Sequence, residues 1–372
     1  MGEFRGELWQ SAERAGRIPP GRGPLYTRRV LPTRLPEKRV GLMASGVPRR
    51  SIDRTYERVI RGVCLPPPPD RHLRHARLGP EGHHGSTGIF RHDVVTRARA
   101  HSLCHPRAVV GYWAAAACHG LVHWADEAPV VLFTGTSKQG SMASVGRAGP
   151  PADSNRPVLR PLPPGLRTVR PDLAFPDLRV VDAPTAAVQC LTTILSGKQS
   201  WSVPYVEGLS PEHVRAVQFI DAFLQCTWVT VRQIIEAARG KVDATTARRL
   251  CALADPGFGA ESPRETVLRL IVRNELPDGV AWRTQVTVDL GTTSTHPDIA
   301  CPELKIALYY DGAHHAAEKT TDTDFRLFQK LRDIGWEAVR VNSAALEERT
   351  EMMESIRNAI ARAERRWGRQ LE

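Results

Sequence analysis

A chain of 372 residues has the length of two or three ordinary domains of about 100–200 residues each. Its 41% hydrophobic and 24% charged content is that of a globular protein, and no unbroken apolar run approaches the roughly 18 residues a membrane helix needs. No apolar segment follows the first positive charges, which argues against a secretory leader, and a net charge of +11 points toward a polyanionic partner.

The charge is unevenly placed. Residues 261–372 hold 16 Lys and Arg against 19 Asp and Glu, a net of −3, which leaves +14 on the rest of the chain. Phosphate-seeking charge therefore lies upstream, although an arginine-rich composition also follows from a GC-rich genome. The seven cysteines (64, 104, 118, 190, 226, 251 and 301) are scattered and show no CxxC spacing. They are expected to be buried thiols of a cytoplasmic protein and not a disulfide frame or a zinc site.

In chain order, residues 1–42 are rich in Arg, Gly and Pro and read as a disordered or spurious extension, with Met43 as an alternative start. The region 43–134 is expected to bind DNA. Gly46-Val47-Pro48 precedes Arg49, Arg50, Arg54, Arg58 and Arg61, with Ile52, Tyr56, Val59 and Ile60 at helical spacing. This suggests a helix-turn-helix with its wing at Val59–Leu65, in which Arg49, Arg50 and Arg54 face DNA; a solvated basic helix would look the same. Phe90–His101 and Ala108–Leu121 read as helices and Val130–Thr134 as a strand. Residues 135–168 read as linker, and 169–255 as a helical middle region with helices at Val180–Ser196, Pro211–Ala238 and Thr245–Ala254. The break at Asp255-Pro256-Gly257 sets the last domain at 256–372.

There the signals sharpen. Ser262-Pro263-Arg264-Glu265 is a capping box with Pro at the first helical position, opening a helix to about Glu275. Thr284–Leu290, Pro297–Cys301 and Lys305–Tyr310 read as strands, the last two forming a hairpin about Pro302-Glu303. A helix at Asp324–Ile334, a strand at Trp336–Val341 and an amphipathic helix at Leu346–Trp367 complete an order αβββαβα. The last helix is expected to bury Met352, Met353, Ile356, Ile360 and Ala363.

The hairpin sets Asp298 on its first strand and Asp311 at the end of its second. Two carboxylates there suit a hard cation, Mg²⁺ or Mn²⁺, which can lower the pKa of a bound water for phosphodiester hydrolysis. A nearby imidazole, His315, can take the proton. Arg326 and Lys330, one turn apart on the following helix, are candidate phosphate contacts. Each has a plainer reading: Glu265 as a cap, Asp311-Gly312 as a turn, and the basic residues as solvated charge.

Pro297-Asp298, Asp311-Gly312-x-x-His315 and Gly335-Trp336 together resemble the very-short-patch-repair endonuclease-like branch of the PD-(D/E)xK superfamily, over about residues 255–345. The resemblance implies an α/β nuclease fold, with Asp298 and Asp311 as metal-binding carboxylates, His315 as the trailing histidine and Glu265 as the helix glutamate. The basic upstream segments also resemble actinobacterial proteins with an abortive-infection antitoxin winged helix. The implied architecture is an α/β αβββαβα domain preceded by a mainly α-helical, winged-helix-like part. Tyr309 stands where most of the family has a glutamate, which removes a charge that would hold the ion; the very-short-patch-repair enzymes resemble this chain in carrying an aromatic residue there. Two functions follow: a Mg²⁺-dependent DNA endonuclease, or a DNA-binding regulator with a degenerate nuclease domain. DNA is the expected partner in both, and homodimerisation is left open.

Overall fold

The computed structural model describes residues 27–68, 90–135, 155–254, 260–276, 280–284, 286–291, 293–311 and 319–367. The chain is a mixed α/β protein that divides into two compact units, one comprising residues up to 200 together with 222–251, the other 201–221 with 252–372. Residues 201–221 thus belong to the C-terminal unit, although they precede the break at 255–257 in sequence. Among the described residues, no helix is long and apolar enough to cross a membrane.

The first unit begins with β1 (Glu37–Lys38), α1 (Arg39–Ala44), α2 (Arg49–Thr55), β2 (Glu57–Ile60) and β3 (Val63–Leu65). The three strands form one antiparallel sheet in the order β1-β3-β2. Helix α2 ends at Thr55, so Val59 and Ile60 belong to a strand and not to the helical stripe expected of them. Leu42, Ile52 and Cys64 are buried together beneath the two helices.

Next come α3 (Val94–Cys104), β4 (Val109–Gly111), α4 (Tyr112–His119), β5 (Val131–Thr134), β6 (Val158–Pro161), β7 (Thr168–Val169), β8 (Val180–Val181) and α5 (Ala183–Leu195). The strands order as β6-β5-β4-β8-β7. The upstream part holds more helix than strand, but it also carries a five-stranded sheet of which only β5 was expected as a strand. Ala108–Leu121 is a buried strand followed by a buried helix. Its unbroken apolar run lacks the periodicity that separates the two states. Likewise Val180-Val181 is a strand, and helix α5 starts only after Asp182, whose carboxylate accepts from Thr185 N–H. The expected linker contains β6 and the first residue of β7; its residues 136–154 lie outside the described residues.

Helix α3 carries two arginines inward. Arg99, wholly buried, forms a two-pronged ion pair with buried Asp172 (2.7 and 3.0 Å). Arg97 donates to the carbonyls of His92, Ala128 and Asp126 and stacks over Phe90. Burial pushes its guanidinium down to about 10, still charged at neutral pH. Part of the upstream positive charge is thus used inside the fold.

Pro211–Ala238 is two helices, α6 (Pro211–Cys226) and α7 (Val231–Ala238), followed by α8 (Ala244–Leu253). The break falls where Thr230 caps α7 in a reciprocal capping box with Gln233.

In the second unit, α9 (Pro263–Glu275) leads to β9 (Arg283–Thr284), a small hairpin of β10 (Val288–Asp289) and β11 (Ser294–Thr295), then β12 (Ile299–Cys301) and β13 (Ile306–Asp311). Helix α10 (Lys319–Asp333), β14 (Glu337–Asn342), α11 (Ser343–Glu347) and α12 (Arg349–Trp367) follow. The main sheet has the order β14-β13-β12-β9, antiparallel except for the six-residue parallel pair β13–β14. Ile299, Ala300, Ile306, Ala307, Leu308 and Val341 are almost completely buried, each large aliphatic side chain contributing about 1.5–3 kcal/mol. Helix α12 buries Met352, Met353, Ile356, Ile360 and Ala363, as its periodicity predicts. The β12–β13 turn spans 302–305, not the two residues expected, with Lys305 at φ 53°.

Candidate functional site

The site is built from the starts of α9 and β12. Ser262 caps α9, accepting from Glu265 N–H at 3.3 Å, and Pro263 occupies the first turn. Glu265 takes part in this start: its Oε2 accepts from Glu261 N–H at 3.0 Å. Helix α9 is anchored one turn later, where buried Asp221 accepts from Thr266 Oγ1 (2.8 Å) and pairs with Arg269 (2.5 Å).

Asp298 immediately precedes β12. The register Ile299↔Leu308 sets it opposite Tyr309, and its Oδ2 accepts from Tyr310 N–H at 2.6 Å. Its carboxyl is pushed up to about 6 by burial; the Tyr310 N–H lowers it and Glu261 adds to the rise. Glu265 is raised well above the usual carboxylate range, first by burial and then by the charges of Asp298 and Glu261. The charge of Asp298 thus opposes the ionisation of Glu265, 33 positions away in sequence, and Glu261 is a negative charge that acts on both. Sequence reasoning missed Glu261. Its spacing of four from Glu265 was the available signal, but it lies just before the helix, where helical spacing carries no weight.

Tyr309 shares this environment. Its hydroxyl lies 3.1 Å from Thr295 Oγ1 and its ring 5.6 Å from that of Phe328 on α10. Burial raises its phenol, as does Asp298. Asp311, two positions along β13, lies on the same face of the strand as Tyr309 by alternation. Its carboxylate forms an ion pair with Arg340 of β14, whose own register partner is Tyr309. The structure therefore places Glu265 within electrostatic reach of Asp298 and pairs Asp311 with Arg340. His315 lies outside the described residues. Among the described residues, no group of three or more His, Cys, Asp or Glu is arranged to hold a metal ion.

The expected DNA contacts are all exposed. Arg49 is 79% exposed and pairs loosely with Asp53 at 3.9 Å, while Asp53 is held by Arg39 at 2.6 Å. Arg50 and Arg54 project from the same helix α2. On α10, Arg326 and Lys330 are exposed beside Phe325, itself 71% exposed. No disulfide joins the seven cysteines; six are buried as expected, whereas Cys104 is exposed at the end of α3.

Compared with known proteins, the chain matches no family model, no curated protein and no solved structure.

Proposed function

We propose that the second unit is a Mg²⁺- or Mn²⁺-dependent DNA endonuclease domain of the PD-(D/E)xK kind, resembling the very-short-patch-repair branch, and that the first unit delivers DNA to it. The observation that carries this reading is the setting of Glu265 and Asp298, two carboxyls whose ionisation burial opposes, with the charge of Asp298 acting further on Glu265. Such a pair is costly unless a cation relieves it. Oxygen donors of this kind suit a hard divalent ion. Glu265 and Asp298 would hold it, and when bound it would polarise a phosphodiester and acidify a water. Asp298 is oriented by Tyr310 N–H, Glu265 by Glu261 N–H, and Tyr309, opposite Asp298 in the strand register, packs against Phe328. A helix, an antiparallel β9-β12-β13 sheet, a helix and the parallel strand β14 agree with the αβββαβα order of that superfamily. Upstream, two short helices on a β1-β3-β2 sheet with exposed Arg49, Arg50 and Arg54 support a winged-helix-like DNA contact.

A second reading, a DNA-binding regulator with an inactive nuclease domain, is favoured by one observation: Asp311 is engaged by Arg340 and so is less disposed to a metal. Nicking of supercoiled plasmid by the full chain decides between them. Metal-dependent nicking that disappears in Asp298→Ala and Glu265→Gln establishes the endonuclease. Salt-sensitive DNA binding without nicking, weakened by charge reversal at Arg49, Arg50 and Arg54, establishes the regulator.

A further inference from the structure

The first unit contains a cleft of about 300 Å³ that the nuclease reading does not use. Its volume lies at the lower end of the range of about 300–1,000 Å³ typical of small-molecule sites. Trp228, Pro184 and Val229 supply apolar wall, Arg28 supplies a cation, and no lining residue is acidic. The guanidinium of the next residue, Arg29, is engaged by Asp126 (2.5 and 2.7 Å). Among the described residues no carboxylate pairs with Arg28 itself. The cleft therefore sets an uncompensated positive charge beside an apolar wall.

Local structure fixes the groups that line it. Gly120 ends α4 at φ 119°, and Arg29 N–H donates to its carbonyl at 2.7 Å. A Cβ at position 120 would meet Arg28 Cγ at 2.7 Å and the Cys226 carbonyl at 3.1 Å. Arg28 is thus seated along its stem, although the residue as a whole is exposed. His119 donates Nε2–H to Val181 O at 2.8 Å. Burial lowers its pKa, and the Arg28 charge lowers it further. The ring is therefore neutral at pH 7, and Arg28 holds the one positive charge of the lining. Gln233 Oε1 is taken by Thr230 N–H (2.9 Å) in the capping box of α7, which leaves the amide N–H₂ as a donor. The Trp228 Nε1–H is buried and has no hydrogen-bond partner among the described residues. A buried donor left unmet is costly, and its partner is commonly water or a ligand.

We infer that this cleft binds a small organic carboxylate, its charge meeting Arg28 and the Gln233 amide and its apolar body lying against Trp228, Pro184 and Val229. A guanidinium holds a carboxylate through two parallel hydrogen bonds. The remaining lone pairs of the carboxylate can accept from the Gln233 amide and the indole N–H. Phosphate carries up to two charges where the lining supplies one. A bare anion would leave the apolar wall unused, and a neutral molecule would leave Arg28 unmatched.

Titration of the full chain with benzoate, benzamide and acetate, followed by NMR, tests the site. Saturable benzoate binding is expected, with benzamide and acetate each weaker by about tenfold or more, a ratio corresponding to about 1.4 kcal/mol. Arg28→Leu, which keeps an apolar stem over Gly120, should weaken benzoate by a similar factor at an unchanged melting temperature. Gln233→Glu retains an acceptor for the capping box but sets a negative charge at the cleft, and should weaken benzoate likewise. The Trp228 indole N–H resonance, identified by its absence from Trp228→Phe, should shift on saturation with benzoate. Absence of saturable benzoate binding, equal binding of acetate or benzamide, unchanged affinity in either charge variant, or an unmoved indole resonance would each overturn the assignment. None of these measurements involves metal or nicking, so they stand whether or not the second unit cuts DNA.

Discussion

A carboxylate that loses water and gains a negative neighbour binds its proton more tightly, and both conditions hold for Glu265 and Asp298. Their folded pKa values lie above the unfolded ones, so between about pH 4 and 6 the native state carries more protons than the unfolded chain. Unfolding free energy must then fall as pH rises through that interval, and for Glu265 beyond it. Thermal melts should show the second unit losing about 2–5 °C between about pH 4.5 and 7.5, with the slope flattened in Glu265→Gln. Addition of Mg²⁺ or Mn²⁺ at the higher pH should restore stability to the wild type and not to that variant; no metal-induced shift in either would remove the basis for a cation at this pair. Gly111 offers a test in the first unit. A Cβ there would strike the Phe133 ring and approach Gln189 Oε1 to 2.9 Å, so Gly111→Ala should destabilise by about 1–3 kcal/mol in denaturant melts.

Elements were legible where local chemistry fixed them. The start of α9 was written in Ser262-Pro263 and Glu265, and the buried face of α12 in its spacing. The Thr230/Gln233 capping box that splits Pro211–Ala238 was equally present, but a long amphipathic run obscured it. Ala108–Gly111 read as part of a helix, because a strand buried on both faces and a buried helix share the same residues. The same limit applies to the site. Asp298 stood out as a carboxylate among apolar strand residues, whereas the pairing of Asp311 with Arg340 is decided by the parallel β13–β14 register, set by chain 29 residues away. Helix α3 shows how far composition misleads about charge: Arg99 contributes nothing to a DNA surface, being sealed against Asp172. Arg99→Leu should leave that carboxylate buried and unpaired, at a cost of about 3–5 kcal/mol. The double change Arg99→Leu/Asp172→Leu should cost less than the single one, and a larger loss would show that the pair is not the source of the effect.

At the scale of the whole chain, the exposed arginines of α2 make the DNA reading quantitative. Removing one arginine from a phosphate should reduce the slope of log affinity against log salt by about 0.9. Reversing Arg49, Arg50 and Arg54 together should therefore flatten it by up to roughly three times that amount in anisotropy titrations of duplex DNA. An unchanged slope would move the DNA-binding face elsewhere on the surface. The thiols have a separate consequence. Cys104 alone is open to reagent, while Cys64, Cys118, Cys190, Cys226 and Cys251 are buried in the first unit and Cys301 in the second. In native buffer a disulfide reagent should therefore consume one equivalent at once. The rest should react only as fast as each unit opens, and Cys301 would then serve as a clock for the second unit's breathing, readable with and without DNA or metal.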